Sequence, residues 1–516
     1  MTSTTKSIHL LVLLHGMWGH PGHLDEMARI VKETHERDSR DHDELRVLLA
    51  ETNREEGTYD GIDWCAERVV DEILTEIDAI QHQQETRVTK FSITGYSLGG
   101  LVARYVVGIL AQKGFLISGD DDNFDQSSSP TPSSYRMEPM NFSTIATPHL
   151  GLIRYSTLFS SLAHKLGPRL LSRTGEQFYL QDTNTSSGRP LLDIMSDPEL
   201  PFYRSLTIFK QVRIFANAVN DLTVPYVTAA MEEEDPFVDW EETGLKVEYH
   251  PRYRPIVTSY TVSSSSPHKP KSKHSKPLIP LPPFLIKPFP FNLFIYALLP
   301  LLVPLAFVLV FVRFTRATGR SRLRISRLEK RFAEGKSPSL LQALSDLERQ
   351  VERRIEDAVV DAIDDPVGST RTSGTSTPSV RGQMSPSPSP SPSSSITLPK
   401  PNSNKKPSKN TPLITPLQRI ICARLNSLPG LKKEIVFIDE FTDDDEEEDE
   451  EAGITKSSSS RDLQASQRTK RVQKAKSKPI AIRNSHAPIV SRDVRNFKHH
   501  RIGEGVLRCW AEGLIM

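Results

Sequence analysis

Two glycine-bearing segments of this chain have the residue types and spacing that acyl transfer needs. The first is Gly95-Tyr96-Ser97-Leu98-Gly99-Gly100, a G-x-S-x-G pattern. It is preceded by a β-like run, Lys90 to Thr94, and followed by helical spacing from Leu98 to Ala111 through Leu101, Val102, Tyr105, Val106 and Ile109. Small residues at Gly95 and Gly99 permit a sharp strand-to-helix turn that exposes the Ser97 hydroxyl. The helix N-terminus adds partial positive charge where an oxyanion would form. The plainer reading is a glycine-rich structural turn. The second segment is His15-Gly16-Met17-Trp18-Gly19, directly after an apolar run from His9 to Leu14. A tetrahedral intermediate needs two backbone N–H donors; Leu98 and Met17 are the candidates, with Gly16 allowing the turn. His15 reads as structural rather than as a base, because it precedes the serine and abuts the loop.

A serine nucleophile needs a base, and the base needs an orienting acid, in the chain order Ser, Asp or Glu, His. The acid candidate is Asp221 in Asn220-Asp221-Leu222-Thr223-Val224-Pro225, after a strand-like stretch from Arg213 to Val219. The alternative is an ordinary loop aspartate. Later histidines are His250, His268, His274, His486, His499 and His500. His268 and His274 lie in a lysine-rich linker, and His499-His500 in a basic segment with no strand before it. His486 follows the strand candidate Ile480 to Arg483, the position such a base needs. Thr147-Pro148-His149-Leu150-Gly151 and the following Leu158, Phe159 and Leu162 read either as an acyl-binding wall or lid, or as core.

These residues must be positioned by a framework, and the pattern supplies one. Apolar runs at 9–14, 90–94, 141–147 and 213–219 alternate with helical patterns such as Ile62 to Ile80, which argues for an α/β domain with a mostly parallel sheet. The charge of +1 over 516 residues gives no support to nucleic acid as a partner. Three widely spaced cysteines, Cys65, Cys422 and Cys509, exclude a disulfide framework and a cysteine-rich zinc site. The apolar run near the N-terminus is too short for a signal-peptide core, so a reducing compartment is expected for the catalytic part.

The later chain is heterogeneous. Residues 1–260 read as the first part of a catalytic domain and 261–287 as a basic Ser/Pro/Lys linker. Pro288 to Val312 holds 25 residues without a formal charge, flanked by Lys and Arg on both sides. It reads as a membrane segment, either one span or a hairpin bent near Pro300 and Pro304; a buried core helix is the alternative. A single span would put 1–260 and 415–516 on opposite sides and prevent the serine and histidine from meeting, which favours the hairpin. Residues 313–365 read as basic and amphipathic helix, with an apolar stripe from Leu340 to Ala362. Residues 366–414 are a Ser/Pro/Thr-rich linker. Residues 415–516 return to folded composition, with an amphipathic helix at Leu417 to Leu428 and a strand at Glu434 to Asp439. An acidic and then Ser/Lys-rich insertion, 441–478, separates that strand from His486.

Together LHGMWGHPGHL, SITGYSLGGLVARY, ATPHLG, NDLTVPY and SHAPIVSR resemble the fungal branch of a serine esterase family that includes a yeast lipid-droplet phospholipase and related lipases. The resemblance covers most of residues 8–260 and roughly 415–512. It implies an α/β-hydrolase fold, a Ser97–Asp221–His486 triad and hydrolysis of lipid esters, with no metal or organic cofactor. The expected partners are a phospholipid or acylglycerol and the surface of a membrane or lipid droplet. The expected place is a lipid droplet or the endoplasmic reticulum, facing the cytosol. A protein-acyl thioesterase and a catalytically idle membrane adaptor are the competing functions. The long insertion before His486 departs from the family pattern: either the stretch from Ile480 replaces the preceding strand, or the insertion loops out.

Overall fold

The computed structural model describes residues 6–38, 43–82, 86–117, 135–183, 188–262, 291–334, 410–441 and 479–516. The insertion expected near 119–134, the helix expected from Leu340, most of the 366–414 linker, the acidic stretch, and His268 and His274 lie outside them.

Twelve strands follow in chain order: β1 (Lys6–Leu14), β2 (Glu44–Leu49), β3 (Thr86–Tyr96), β4 (Glu138–Ile145), β5 (Arg154–Tyr155), β6 (Gln211–Asn217), β7 (Leu245–Tyr249), β8 (Ile256–Val262), β9 (Pro412–Leu413), β10 (Leu431–Val436), β11 (Glu440–Phe441) and β12 (Ile480–Ala481). Eight form one sheet in the order β2-β1-β3-β4-β6-β10-β8-β7. Its pairs from β2 to β10 are parallel, while β8 pairs antiparallel with both β10 and β7. The expected mostly parallel α/β architecture is what the chain forms.

Both faces of this sheet are buried, which is why β1 reads as an unbroken apolar run. Side chains alternate between faces: Leu10, Val12 and Leu14 join one core, Leu11 and Leu13 the other. The first core takes α2 (Ile62–Gln81) and α3 (Leu98–Gln112). The second takes α1 (Asp25–Asp38) and the C-terminal helix Glu504–Glu512, through Ile30, Val31, Val506, Leu507 and Trp510. Each fully buried Leu or Ile contributes about 1.5–3 kcal/mol, so the last residues of the chain are integral to the fold. Three strands of this sheet were not expected from sequence, β2, β7 and β8. β2 and β7 lie at its two edges, where exposed and half-buried side chains mix, and β8 lies beside β7 with apolar and polar residues interspersed.

The insertion before His486 is resolved by β11 and β12. Phe441 pairs with Ile480, and the Ile482 amide donates to the Asp439 carbonyl at 2.8 Å. The two ends of the insertion are thus stitched together and it leaves the sheet intact. The strand expected at Glu434 to Asp439 sits three residues earlier, as β10.

One expectation is corrected. The bend near Pro300 and Pro304 does not form, and a single helix, Phe291–Glu334, runs through both prolines for 44 residues, about 66 Å. Spaced four apart, the prolines place their missing donors on one helix face, so the hydrogen bonds of the other faces can carry the helix through both. The helix has two unlike halves. From Leu298 to Phe311 its large apolar side chains are exposed, and it is long and apolar enough to cross a membrane by length and composition. From Phe314 onward it docks on the domain: Thr318 Oγ1 donates to the Leu170 carbonyl at 2.7 Å and Ser172 Oγ to Ser321 Oγ at 3.0 Å.

Candidate active site

Ser97 stands at the turn from β3 into α3 with φ +56° and ψ −124°. A non-glycine residue there stores about 1–3 kcal/mol of strain and needs its surroundings to enforce it. They do so by close approach. A Cβ on Gly95 would lie 2.3 Å from the Gly99 carbonyl oxygen, so the strand and helix can meet only without side chains. The Ser97 amide donates to the Ile145 carbonyl at the end of β4, at 2.9 Å. The turn therefore aims the Ser97 side chain away from the core, although its surroundings leave it only 6% exposed.

The loop after β1 presses on this turn. A Cβ on Gly16 would stand 2.7 Å from Ser97 Cβ, and one on Gly99 would stand 2.3 Å from the Leu14 carbonyl oxygen. Met17 thus directly follows the residue that stands against the serine, and Leu98 opens α3, where the first N–H groups have no intrahelical acceptor. His15 is buried, its Nδ1 3.0 Å from the Gly16 carbonyl oxygen. Burial holds its ring below the ordinary histidine value despite that hydrogen bond. It fills the loop and lies apart from the serine's hydrogen bonds.

His486 comes from the far end of the chain. Its Nε2 is 3.1 Å from Ser97 Oγ and its Nδ1 is 2.9 Å from Asp221 Oδ2. The Asp221 side chain is 1% exposed. Its Oδ1 accepts from the amides of Thr223 at 2.9 Å and Val224 at 2.8 Å, and Oδ2 also accepts from Asn217 Nδ2 at 2.9 Å. Burial pushes the carboxyl up, but His486 and these donors outweigh it and hold the group below the usual carboxylate range. The structure therefore brings together Ser97, Asp221 and His486, three residues expected from sequence.

The other candidate histidines lie elsewhere. His250 Nδ1 accepts from the Arg252 amide at 3.2 Å and the ring stacks on Tyr253, while His500 Nδ1 bonds the Arg492 carbonyl. Thr147, His149, Leu150 and Gly151 are buried. Leu158 and Phe159, on α4 (Leu158–Leu170), are 93% and 82% exposed, so the core reading of these two is wrong. Phe159, Tyr155, Val219, Asp221, Leu222 and Tyr226 line a cavity of about 520 Å³.

Sequence reasoning missed the residues that hold His486. Tyr96 donates its hydroxyl to the His486 carbonyl at 2.9 Å and lays its ring 5.0 Å from the imidazole. Ser485 Oγ donates to the Val219 carbonyl at 2.8 Å, and the Ser485 amide to the Asn220 carbonyl at 2.9 Å. Asn484 Oδ1 accepts from the His486 amide at 3.2 Å. The one available hint was Asn217, four residues before Asp221 at a strand end.

Residues 4–232 match the family described as Putative serine esterase (DUF676). The chain is 32% identical over 229 residues to Putative lipase C4A8.10 of Schizosaccharomyces pombe, and 25% identical over 232 residues to Putative lipase ROG1 of Saccharomyces cerevisiae. These stretches are 44% and 45% of this chain, and 26% and 30% of those relatives' own lengths. Among solved structures, an extracellular alpha/beta-hydrolase from a Paenibacillus species is 17% identical, with a TM-score of 0.23 over 42% of this chain and 80% of that one. The family resemblance read from the motifs holds over residues 4–232, the part read at 415–512 lies outside the matched span, and the fold is an α/β domain built on a mostly parallel sheet. His486 lies outside the matched span and enters the site through the tertiary structure alone.

Proposed function

We propose that the protein is a serine carboxylic-ester hydrolase, a lipase that cleaves acyl esters of phospholipids or acylglycerols at a membrane or lipid-droplet surface. The observation that carries this reading is the unbroken line from Ser97 Oγ through the His486 ring to the Asp221 carboxylate, with the Met17 loop against the serine. Ser97 Oγ attacks the acyl carbonyl carbon while His486 Nε2 takes its proton. Asp221 holds the ring by its Nδ1–H and stabilises the imidazolium. The Leu98 and Met17 amides receive the developing oxyanion. His486 then protonates the departing alcohol, and water, activated by the same ring, releases the fatty acid from Ser97. These steps call on no metal or organic cofactor.

Two features support a lipid surface. Leu158, Phe159 and Leu222 are 93%, 82% and 78% exposed, and the last two line the cavity beside Asp221. Large apolar side chains exposed at the edge of a cavity mark a contact with lipid or with another apolar partner. The apolar half of the long helix adds a second such surface. β8 ends at Val262 and the half of the helix from Phe314 onward docks on the same body, so the domain before the apolar segment and the domain after it lie on one side of the membrane. A lipid droplet or the endoplasmic reticulum, with the domain in the cytosol, fits that arrangement.

A fluorophosphonate probe on the detergent-solubilised full chain should label Ser97. A folded protein that takes no label overturns the reading. Parallel assays on phospholipid, acylglycerol and an acylated peptide then separate lipase from thioesterase. Changing Leu158 and Phe159 together to Ser should cut hydrolysis of phospholipid vesicles by about 10-fold while sparing a soluble short-chain ester. With tags at both termini, protease should digest both on intact microsomes; protection of one tag defeats the one-sided arrangement.

A further inference from the structure

The long helix grips the turn that carries the oxyanion loop. Arg324 donates to the fully buried Asp60 carboxylate at 2.9 and 3.0 Å and to the Glu56 carbonyl at 2.7 Å. Arg320 reaches the Glu56 carboxylate at 3.1 Å. Residues 55–60 are thereby held from outside the domain. From inside, Arg68 on α2 donates to Asp60 at 2.7 Å and to the Gly57 carbonyl at 2.9 Å.

The same turn holds the loop after β1. The Glu55 amide donates to the Gly19 carbonyl at 2.9 Å, the Trp18 amide to Thr58 Oγ1 at 3.2 Å, and Trp18 Nε1 to Tyr59 OH at 2.9 Å. The helix also touches the loop directly, with the Phe314 and Trp18 rings 6.1 Å apart, edge to face. Trp18 immediately follows Met17. A cleft of about 400 Å³ between Trp18, Tyr59, Arg313 and Phe314 gives the loop room to shift if this grip loosens.

We infer that Arg324 and Phe314 are positioning residues, and that the long helix sets the oxyanion loop as well as tethering the enzyme. The inference rests on the serine-hydrolase reading, because the loop matters to rate only if Met17 donates to an oxyanion. A buried carboxylate held by several charge-assisted hydrogen bonds keeps a fixed geometry, so the turn, and through it the loop, inherits the orientation of the helix. A donor displaced from its productive position loses part of its contribution to kcat while ground-state binding changes little.

The test uses the full chain in detergent micelles with a soluble short-chain p-nitrophenyl ester, for which a mere tether is irrelevant. Arg324→Ala should lower kcat about 10-fold, short of the roughly 100-fold or more that loss of an oxyanion donor costs. KM should stay within about 2-fold, and flotation with phospholipid vesicles should be unchanged. Arg324→Lys should recover part of the loss, since it keeps the charge but not the paired hydrogen bonds. Hydrogen exchange of residues 16–20 and 55–60 should quicken in Arg324→Ala. If that variant fails to fold, Phe314→Ala removes only a half-buried ring, and should give a smaller loss of kcat with quicker exchange at 16–20. Unchanged kcat in folded variants overturns the inference, whether or not exchange changes, and so does unchanged exchange. Quicker exchange in a protein whose wild type neither hydrolyses the ester nor takes fluorophosphonate would defeat the hydrolase reading and leave the grip of the helix on the loop standing.

Discussion

Ser97 stands on a turn of a few residues between β3 and α3, whereas His486 sits in irregular chain between β12 and the 3-10 turn Pro488–Val490. The serine's geometry is enforced by its own neighbours: Gly95 and Gly99 allow strand and helix to touch, and φ at Ser97 follows. Locally the histidine has only the Asn484 side chain, which accepts from its amide. Tyr96, Asn217, Val219 and Asn220 hold it, through hydrogen bonds that span 265 to 390 positions of sequence. A turn built between adjacent strand and helix takes most of its shape from its own short stretch, whereas a loop held by remote partners is only as fixed as the least stable of them.

The sharpest way to break this comparison is at the proposed nucleophile. Ser97→Ala should abolish ester hydrolysis and probe labelling, a fall on the order of 10⁶-fold, with thermal unfolding little changed. Activity above a tenth of wild type would remove Ser97 from its role. His486→Ala should lose as much, since Ser97 and its base act as a unit. His499→Ala should keep full kcat, and His500→Ala should lower the unfolding temperature without lowering kcat. A silent enzyme from either change, if folded, would move the base elsewhere.

Asp221→Asn comes next, at about 10³–10⁴-fold on kcat, because the ring loses its orienting acceptor and its tautomer. A loss below about 10-fold would point to another acid.

Smaller effects distinguish the two regions. Tyr96→Phe leaves the turn intact but removes the hydroxyl that holds the His486 carbonyl. Asn217→Ala removes a donor to Asp221 and to the loop. Each should lower kcat by about 10-fold, the cost of one buried hydrogen bond, while the Ser97 turn keeps its structure. Steady-state kinetics on a soluble ester would show it. If both variants are as fast as wild type, His486 is held by its loop alone and the contrast between the two regions disappears.

Much of this site was legible in the order of residues. G-x-S-x-G between an apolar run and a helical pattern locates Ser97, because strand, turn and helix signals are local and the turn tolerates few residues. The loop at Gly16 and Met17 follows from the same adjacency. Asp221 was legible from its place after a strand, and His486 from its place after Ile480 to Arg483 late in the chain, although β12 proved to be only two residues long and lies outside the main sheet. The parallel sheet was legible because strands buried on both faces are apolar throughout.

Other features were decided only when the chain closed on itself. The strands β2, β7 and β8 mix polar and apolar residues, so no long apolar run announced them. The pairing of β11 with β12 joins two stretches across a long insertion, and local pattern carries no information about such a partner. The two prolines of the long helix promised a hairpin bend, but the helix runs on through both of them to residues that dock on the domain. Tyr96, Asn217, Arg68 and Arg324 are unremarkable letters in sequence. Their importance lies in which carbonyl or carboxylate each reaches, and those acceptors are brought near only by packing the sheet, the C-terminal return and the long helix into one body. Residue types and local spacing named the groups proposed to react; the tertiary structure determined what holds them, because a buried hydrogen bond is specified by two positions at once.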